Sequence, residues 1–356
     1  MKIVKGSYPY FDDFFHHTLP TGELGEMFAS PFNKFLFRGE SSGKFKLIPS
    51  ALREGSGKVL NPEWGGHDAR SLGDQVRQER YKLWQFYKLA NQHGLKVTGS
   101  ESMRNEYLSG MSPTFGYQEN AYKWLSSEYE DLAALAQHYG VPTRLLDWTS
   151  ELFVSLYFAS AGALRNWKKN SGNHDCSDTM VIWMLNGGQI HSMTTEQREG
   201  VSRIVNGKVE KTILNPLPLK LIVPPYYDNP NLNAQKGVLS YWQIEMPSRK
   251  EEDSRGYQSF PIDNRPLDDL LHEFDLGYNS DHIQILYRAE IDINECGNMY
   301  TVMNDLGYNA AKLFPGYDGV KRKMEEDDIC REFSIWLQKR QCQQCKRNKE
   351  KSEGDI

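Results

Sequence analysis

At 356 residues the chain is long enough to bury a substantial core, as one large domain or two smaller ones. A net charge of -5 and a pI near 6.0 exclude a global basic field, and with it duplex nucleic-acid binding by bulk electrostatics. Five cysteines, at Cys176, Cys296, Cys330, Cys342 and Cys345, form no disulfide framework and suit a reducing cytosol. Lys2 and Lys5 flank only two apolar residues, which is no secretory leader. The longest apolar run, Leu152 to Leu164, is broken by Ser155, Ser160 and Gly162 and is too short to span a bilayer. The expectation is a cytoplasmic protein with no membrane partner.

In chain order, Phe35-Leu36-Phe37 reads as a short buried strand running into Arg38-Gly39-Glu40, an unusual place for charge. Gln75 to Gln92 predicts a helix, with Val76, Leu83, Tyr87 and Ala90 on one stripe and charges between them. Glu101 to Ser127 has poor periodicity and predicts helices joined by loops. In Glu128 to Tyr139, Leu132, Leu135, Ala136 and Tyr139 recur at helical spacing; Gly140 ends that helix and Pro142 confirms the stop. The run Gln137 to Ser150 is too polar for a core. It reads as a loop before an apolar helix starting at Leu152, with Asp147, Thr149 or Ser150 as N-cap, a place where backbone N–H groups can meet an anion.

Beyond it, Thr179 to Leu185, Leu219 to Val223, Val238 to Glu245 and Ile283 to Ile293 are strand-like, rich in β-branched or aromatic residues. Asn166 to Ser177 and Ser248 to Arg265 read as exposed loops. Glu325 to Lys351 predicts an amphipathic helix, acidic at its start and basic at its end, with Ile329, Phe333, Trp336 and Leu337 on one face. Helices first and strands later predict an α+β fold: a helical N-terminal half packed on a mainly antiparallel sheet, with a C-terminal amphipathic helix.

Several chemistries lack their motif. Gly39-Glu40-Ser41-Ser42-Gly43-Lys44-Phe45 mimics a P-loop but is one residue short between its glycines and has Phe45 where a metal-holding Ser or Thr belongs. No G-x-G-x-x-G follows a strand. His272-Glu273 lacks the second histidine of a zinc-protease helix, and Cys342-Gln343-Gln344-Cys345 has no second ligand pair, so no metal is predicted. What survives is Arg38-Gly39-Glu40 together with His138 to Ser150. Arg38 offers a planar fork for a phosphate or carboxylate, and Gly39 would let a ligand approach the backbone. The structural alternative is an ion pair of Arg38 with Asp147 or Glu40. Arg144 and Asp147 are a candidate pair within the loop, with Trp148 as its anchor. His138 and Asp147 form a candidate proton-transfer pair, which keeps a hydrolase or nuclease open.

Phe37-Arg38-Gly39-Glu40, Leu47-Ile48-Pro49-Ser50, His138-Tyr139-Gly140-Val141-Pro142-Thr143-Arg144-Leu145-Leu146-Asp147-Trp148-Thr149, Tyr157-Phe158-Ala159, Ala234-Gln235-Lys236-Gly237-Val238 and Leu313-Phe314-Pro315 together resemble the FRG domain family, named for its Phe-Arg-Gly motif. The resemblance covers roughly residues 15–320, leaving 321–356 as a charged helical tail. It implies a role in microbial conflict such as phage defence. A weaker likeness is to ADP-ribosyltransferases of the Arg, Ser, Glu type: a strand ending in Arg-Gly, a strand running into Ser-Thr-Ser and a helix, and a Glu-x-Glu opening a later strand.

Arg38-Gly39, Trp148-Thr149-Ser150 and Gln235-Lys236-Gly237 would be the three parts. The likeness implies an ADP-ribosyltransferase-like fold, with NAD as substrate and a protein or nucleic-acid acceptor. Arg38, Asp147, Thr149 and Gln235 would be catalytic, while Arg38, Gly39, Glu40, His138, Tyr139, Thr143, Arg144 and Ser150 would hold the nucleotide. Gly237 stands where that class has its catalytic carboxylate, so Asp147 or Glu40 must supply the charge, or the pocket binds without turnover. The alternative function is therefore a non-catalytic module recognising a nucleotide or other anionic small molecule, a nucleic acid or a protein.

Overall fold

Elements form largely where the apolar periodicity places them. The computed structural model describes residues 3–31, 33–53, 71–99, 101–109, 122–173, 175, 177–194, 199–205, 208–213, 216–226, 229–248, 250–251, 254, 260–274 and 284–354. The first half contains β1 (Ile3–Tyr8), α1 (Phe11–Thr18), α2 (Glu23–Ala29), β2 (Phe35–Glu40), α3 (Leu72–Gln92), α4 (Glu101–Ser109), β3 (Tyr122–Trp124), α5 (Ser127–His138), β4 (Leu146–Thr149) and α6 (Leu152–Lys169). The second half contains β5 (Thr179–Asn186), α7 (Gly187–Thr194), β6 (Glu199–Val205), β7 (Lys208–Ile213), β8 (Leu219–Ile222), α8 (Pro230–Ala234), β9 (Gly237–Trp242) and β10 (Ile244–Met246). It continues with α9 (Leu267–Glu273), β11 (Leu286–Asp292), α10 (Cys296–Asp305), α11 (Ala310–Leu313) and α12 (Tyr317–Gly354).

Seven strands form one sheet in the order β1-β11-β5-β2-β4-β9-β8, antiparallel throughout except for β1 beside β11. The fold is thus α+β, as expected. The N-terminal half nevertheless adds strands to the sheet as well as helices: β1 at its edge beside β11, and β2 with β4 near its middle. Alternate residues of a strand face opposite sides. On β2, Phe35 and Phe37 meet α6 and the buried Phe11, Phe14 and Met299, while Leu36 faces the layer of Leu47, Trp148, Trp183 and Leu267. A third core, around Trp124, Leu132, Leu239 and Tyr241, seats α3 and α5 on the β9–β8 end of the sheet.

Ser71 caps α3 by accepting the Asp74 N–H at 3.1 Å, and Val76, Leu83, Tyr87 and Ala90 are buried along its predicted stripe. The expected strand Val238 to Glu245 is two strands, parted where the Gln243 N–H donates to the Pro218 carbonyl at 2.8 Å. The C-terminal helix starts at Tyr317, ahead of its predicted acidic start. It is held by Phe333 in the core and by Glu326, 1% exposed, which accepts from Tyr157, Arg165 and Arg322.

Parts of Glu101 to Ser127, predicted as helices joined by loops, and of the predicted loops Asn166 to Ser177 and Ser248 to Arg265 lie outside the described residues. So do Cys176, Ile283 and the side chains of Cys342 and Cys345. Cys296 and Cys330 are buried free thiols. No helix among the described residues is long and apolar enough to cross a membrane.

Candidate functional site

The polar run from Gln137 to Ser150 begins with a complete helix stop. After α5, Gly140 takes φ +82°, its N–H donates to the Gln137 carbonyl at 2.9 Å, and the Val141 N–H donates to the Ala136 carbonyl at 3.0 Å. That paired closure needs the left-handed backbone glycine adopts freely. The chain then does not remain a loop. Leu146 to Thr149 is β4, with Leu146 and Trp148 buried on one face and Trp148 Nε1 donating to Ser240 Oγ at 2.8 Å. Asp147, between them, is exposed.

β4 and β2 share a single ladder pair, Phe37 with Thr149. Past that pair the sheet splits, and Arg38 bridges the gap. Its Nη1 donates to the Asp147 carbonyl at 2.8 Å and its Nε to Glu40 Oε1 at 2.6 Å, while Asp147 Oδ2 lies 3.9 Å from Nη1. Burial works against the Arg38 charge, but Glu40 and Asp147 more than offset it, and its pKa lies above the ordinary range. Gln137 Nε2 holds Asp147 Oδ1 at 2.6 Å, yet the Asp147 side chain remains 68% exposed, against 15% for Arg38 and 13% for Glu40. Beside it, burial lowers the pKa of His138 and the nearby Asp147 opposes that shift. An imidazole held below its ordinary value is neutral at pH 7.

The second group sits at the far end of β4. Thr149 Oγ1 donates to the Gln235 carbonyl at 2.7 Å and accepts the Glu151 N–H at 3.1 Å; the Ser150 N–H donates to the Lys236 carbonyl at 3.1 Å. Gln235 Nε2 donates to the Leu313 carbonyl at 3.0 Å. Thr149 pairs with Gly237 across to β9, so β2, β4 and β9 are consecutive neighbours carrying, or immediately following, Arg38, Thr149 and Gln235. A Cβ on Gly237 would stand 2.2 Å from Leu232 Cδ1, so a side chain there needs Leu232 to move.

Several expectations are corrected. Gly39 does not open the backbone to a ligand: a Cβ there would lie 1.9 Å from the Ser155 carbonyl oxygen, so glycine is what lets α6 press onto β2. None of Asp147, Thr149 and Ser150 is the N-cap of α6; that position is Glu151, without a side-chain cap bond. Arg144 does not pair with Asp147. It is buried and forked onto Glu79 of α3, Nε and Nη2 each at 2.7 Å.

Thr143 is also buried. Its Oγ1 donates to Gln137 Oε1 and accepts the Leu145 N–H, and its own N–H donates to Ser50 Oγ at 3.2 Å. Tyr139 points away from the split, two-thirds exposed and stacked on Phe86. The structure therefore gathers Arg38, Glu40, His138 and Asp147 at the split, sets Thr149, Ser150 and Gln235 at the other end of β4, and uses Gly39, Thr143 and Arg144 for packing.

Glu79 was missed from sequence. Its signal was position: three residues after Val76 and four before Leu83, it lies on the buried stripe, where a carboxylate requires a partner. Gln137, which positions Asp147, gave no comparable signal.

A mixed sheet that parts beside an arginine, with a conspicuous polar run feeding its central strand, belongs to an α+β domain. The family model of the FRG domain matches residues 33–168, and this part of the chain is an FRG domain. The match runs from just before β2 to the end of α6, so both sides of the split lie inside it, while Gln235 and β9 lie beyond it. No curated protein and no solved structure matches the chain.

Proposed function

We propose that the domain binds NAD with its nicotinamide ribose at the split between β2 and β4, and that Asp147 supports cleavage of the nicotinamide bond. The carrying observation is the Asp147 carboxylate, 68% exposed beside the largely buried Arg38–Glu40 pair where β2 and β4 part. The local charge favours the cationic end of NAD over its pyrophosphate. Arg38 is neutralised by Glu40, so with Asp147 and a neutral His138 the split carries one negative charge in excess.

Breaking the bond moves its electron pair onto the nicotinamide and leaves an oxocarbenium-like ribose, which a nearby carboxylate stabilises. Water or an acceptor hydroxyl then adds to the ribose carbon, and the neutral His138 is the base that takes its proton. Asp147 thus supplies from another direction the charge that Gly237 lacks. Removal of NAD during infection would give the domain its part in phage defence.

The test is chromatography for nicotinamide after incubating the full chain with NAD. Wild type should release it, and Asp147→Asn, shown to be folded, should be slower by about 10²–10³-fold. Saturable NAD binding without release would make the domain a recognition module instead. Neither binding nor release would end the NAD reading.

A further inference from the structure

Beside α5 the molecule has a cavity of ≈ 850 Å³ lined by residues of α3, of α5 and by Pro224, Pro225, Asn229 and Leu232. That volume is in the range of sites that enclose a small organic ligand. Its shape has a chemical meaning. Ala90 and Ala134 present only methyl groups, while the rings of Phe86 and Tyr139 and the side chains of Pro224 and Pro225 add apolar surface. The Phe86 and Tyr139 rings stack at 6.4 Å with 26° between their planes, and Tyr139 remains 67% exposed.

Leu89 and Leu95, also at this cavity, are 56% and 65% exposed, an apolar surface with no cover among the described residues. His93, Asp131 and Asn229 add polar groups to the lining. A slot lined by small residues, two aromatic rings and a few polar groups suits a planar heterocycle, which gains from stacking on an aromatic face and from hydrogen bonds at its edge.

The slot is tied to the polar run at two points, through the chain at Tyr139 and through Leu232 at the Thr149–Gly237 end of β4. Tyr139 follows His138, the neighbour of Asp147, and Leu232, which lines the slot, is the residue a Cβ on Gly237 would strike. We infer that the slot is a purine subsite, occupied by the adenine ring of an adenine nucleotide. This deepens the NAD reading and rests on it, since the adenosine end is the part of NAD that Asp147 leaves unplaced. The same ring chemistry has two sources, NAD itself or a separate adenine nucleotide.

AMP distinguishes them, titrated by calorimetry into wild type, Tyr139→Phe and Tyr139→Ala, with nicotinamide release measured on the same proteins. Tyr139 is exposed, so both variants should fold, which circular dichroism verifies. AMP should bind wild type and Tyr139→Phe alike and bind Tyr139→Ala about tenfold or more weakly, the size of a lost stacking contact. Tyr139→Ala should raise KM for NAD at nearly constant kcat.

Competition between AMP and NAD would assign the slot to NAD's own adenine, and binding of both together would assign it to a separate nucleotide. AMP binding lost in Tyr139→Ala, in a protein that does not cleave NAD, would leave the slot standing and remove the cleavage reading. Cleavage with KM and AMP affinity unmoved by Tyr139→Ala, or no AMP binding to wild type, would overturn the slot.

Discussion

Two arginine–carboxylate clusters frame the same polar run, and they end in opposite conditions. Arg144 and Glu79 are each 6% exposed at the side chain, and the Glu79 carboxylate accepts from Arg144 twice, from Trp124 Nε1 at 2.7 Å and from Gln75 Nε2 at 2.9 Å. Every strong acceptor direction is filled by protein. At the split, Arg38 is just as firmly held, but the Asp147 carboxylate faces solvent with one oxygen bound by Gln137. Complete satisfaction marks a clamp joining α3 to the start of β4, whereas a positioned carboxylate left open to solvent is what a site offers a ligand.

Breaking the clamp should have the largest effect. Arg144→Ala leaves the Glu79 charge buried without its partner and should cost about 3–5 kcal/mol in urea denaturation. Replacing the pair together, Arg144→Met with Glu79→Leu, should recover most of that loss, because the apolar pair needs no solvation. Equal destabilisation by the single and double changes would show that the clamp acts through Trp124 and Gln75 rather than through its charge.

Arg38→Lys sharpens the contrast from the other side. An ammonium cannot serve Glu40 and the Asp147 carbonyl in one planar fork, so the variant should fold and lose about 1–2 kcal/mol in the same measurement. A loss as large as that of Arg144→Ala would make the split a second structural clamp.

What the sequence made legible follows the distance over which each feature is decided. The stop at Gly140 and the stripe on α3 are settled by neighbours a few residues away, and they read correctly, whereas an ion pair of Arg38 with Glu40 was only one branch of the structural alternative to a ligand-gripping fork. β4 was misread as loop because its period-two signal, Leu146 and Trp148 against Asp147 and Thr149, is four residues long inside a polar run. The hairpin of β6 and β7 was passed over although Asn206-Gly207 stands between its strands, a strong turn signal. Gly39 and Arg144 were misassigned because their reasons, the Ser155 carbonyl and Glu79, are supplied by packing across more than sixty positions, which no local pattern carries.

Asp147→Asn separates the two clusters by function. The side chain is 68% exposed, so its ion pair is screened and the change should alter stability by less than about 1 kcal/mol while nicotinamide release falls. A stability loss beyond that, with release intact, would return Asp147 to a structural role.

The smallest effect is a pH dependence. His138 has a folded pKa below its ordinary 6.5, chiefly because burial disfavours the imidazolium. Between the folded value and 6.5 the unfolded chain therefore binds more protons at this position, and stability must rise with pH across that window. Its contribution is constant above 6.5 and is lost progressively as pH falls from 6.5 through the folded value. Denaturation midpoints for His138→Gln should be flatter than wild type below pH 6.5 and parallel to it above. In Asp147→Asn the carboxylate that opposes the shift is gone, so the His138 pKa should fall further, which two-dimensional NMR of the imidazole reads directly. A wild-type His138 titrating above 6.5 would mean that Asp147 outweighs burial. Titration above 7 would leave the imidazole mostly charged at pH 7, unable to serve as the base at the split.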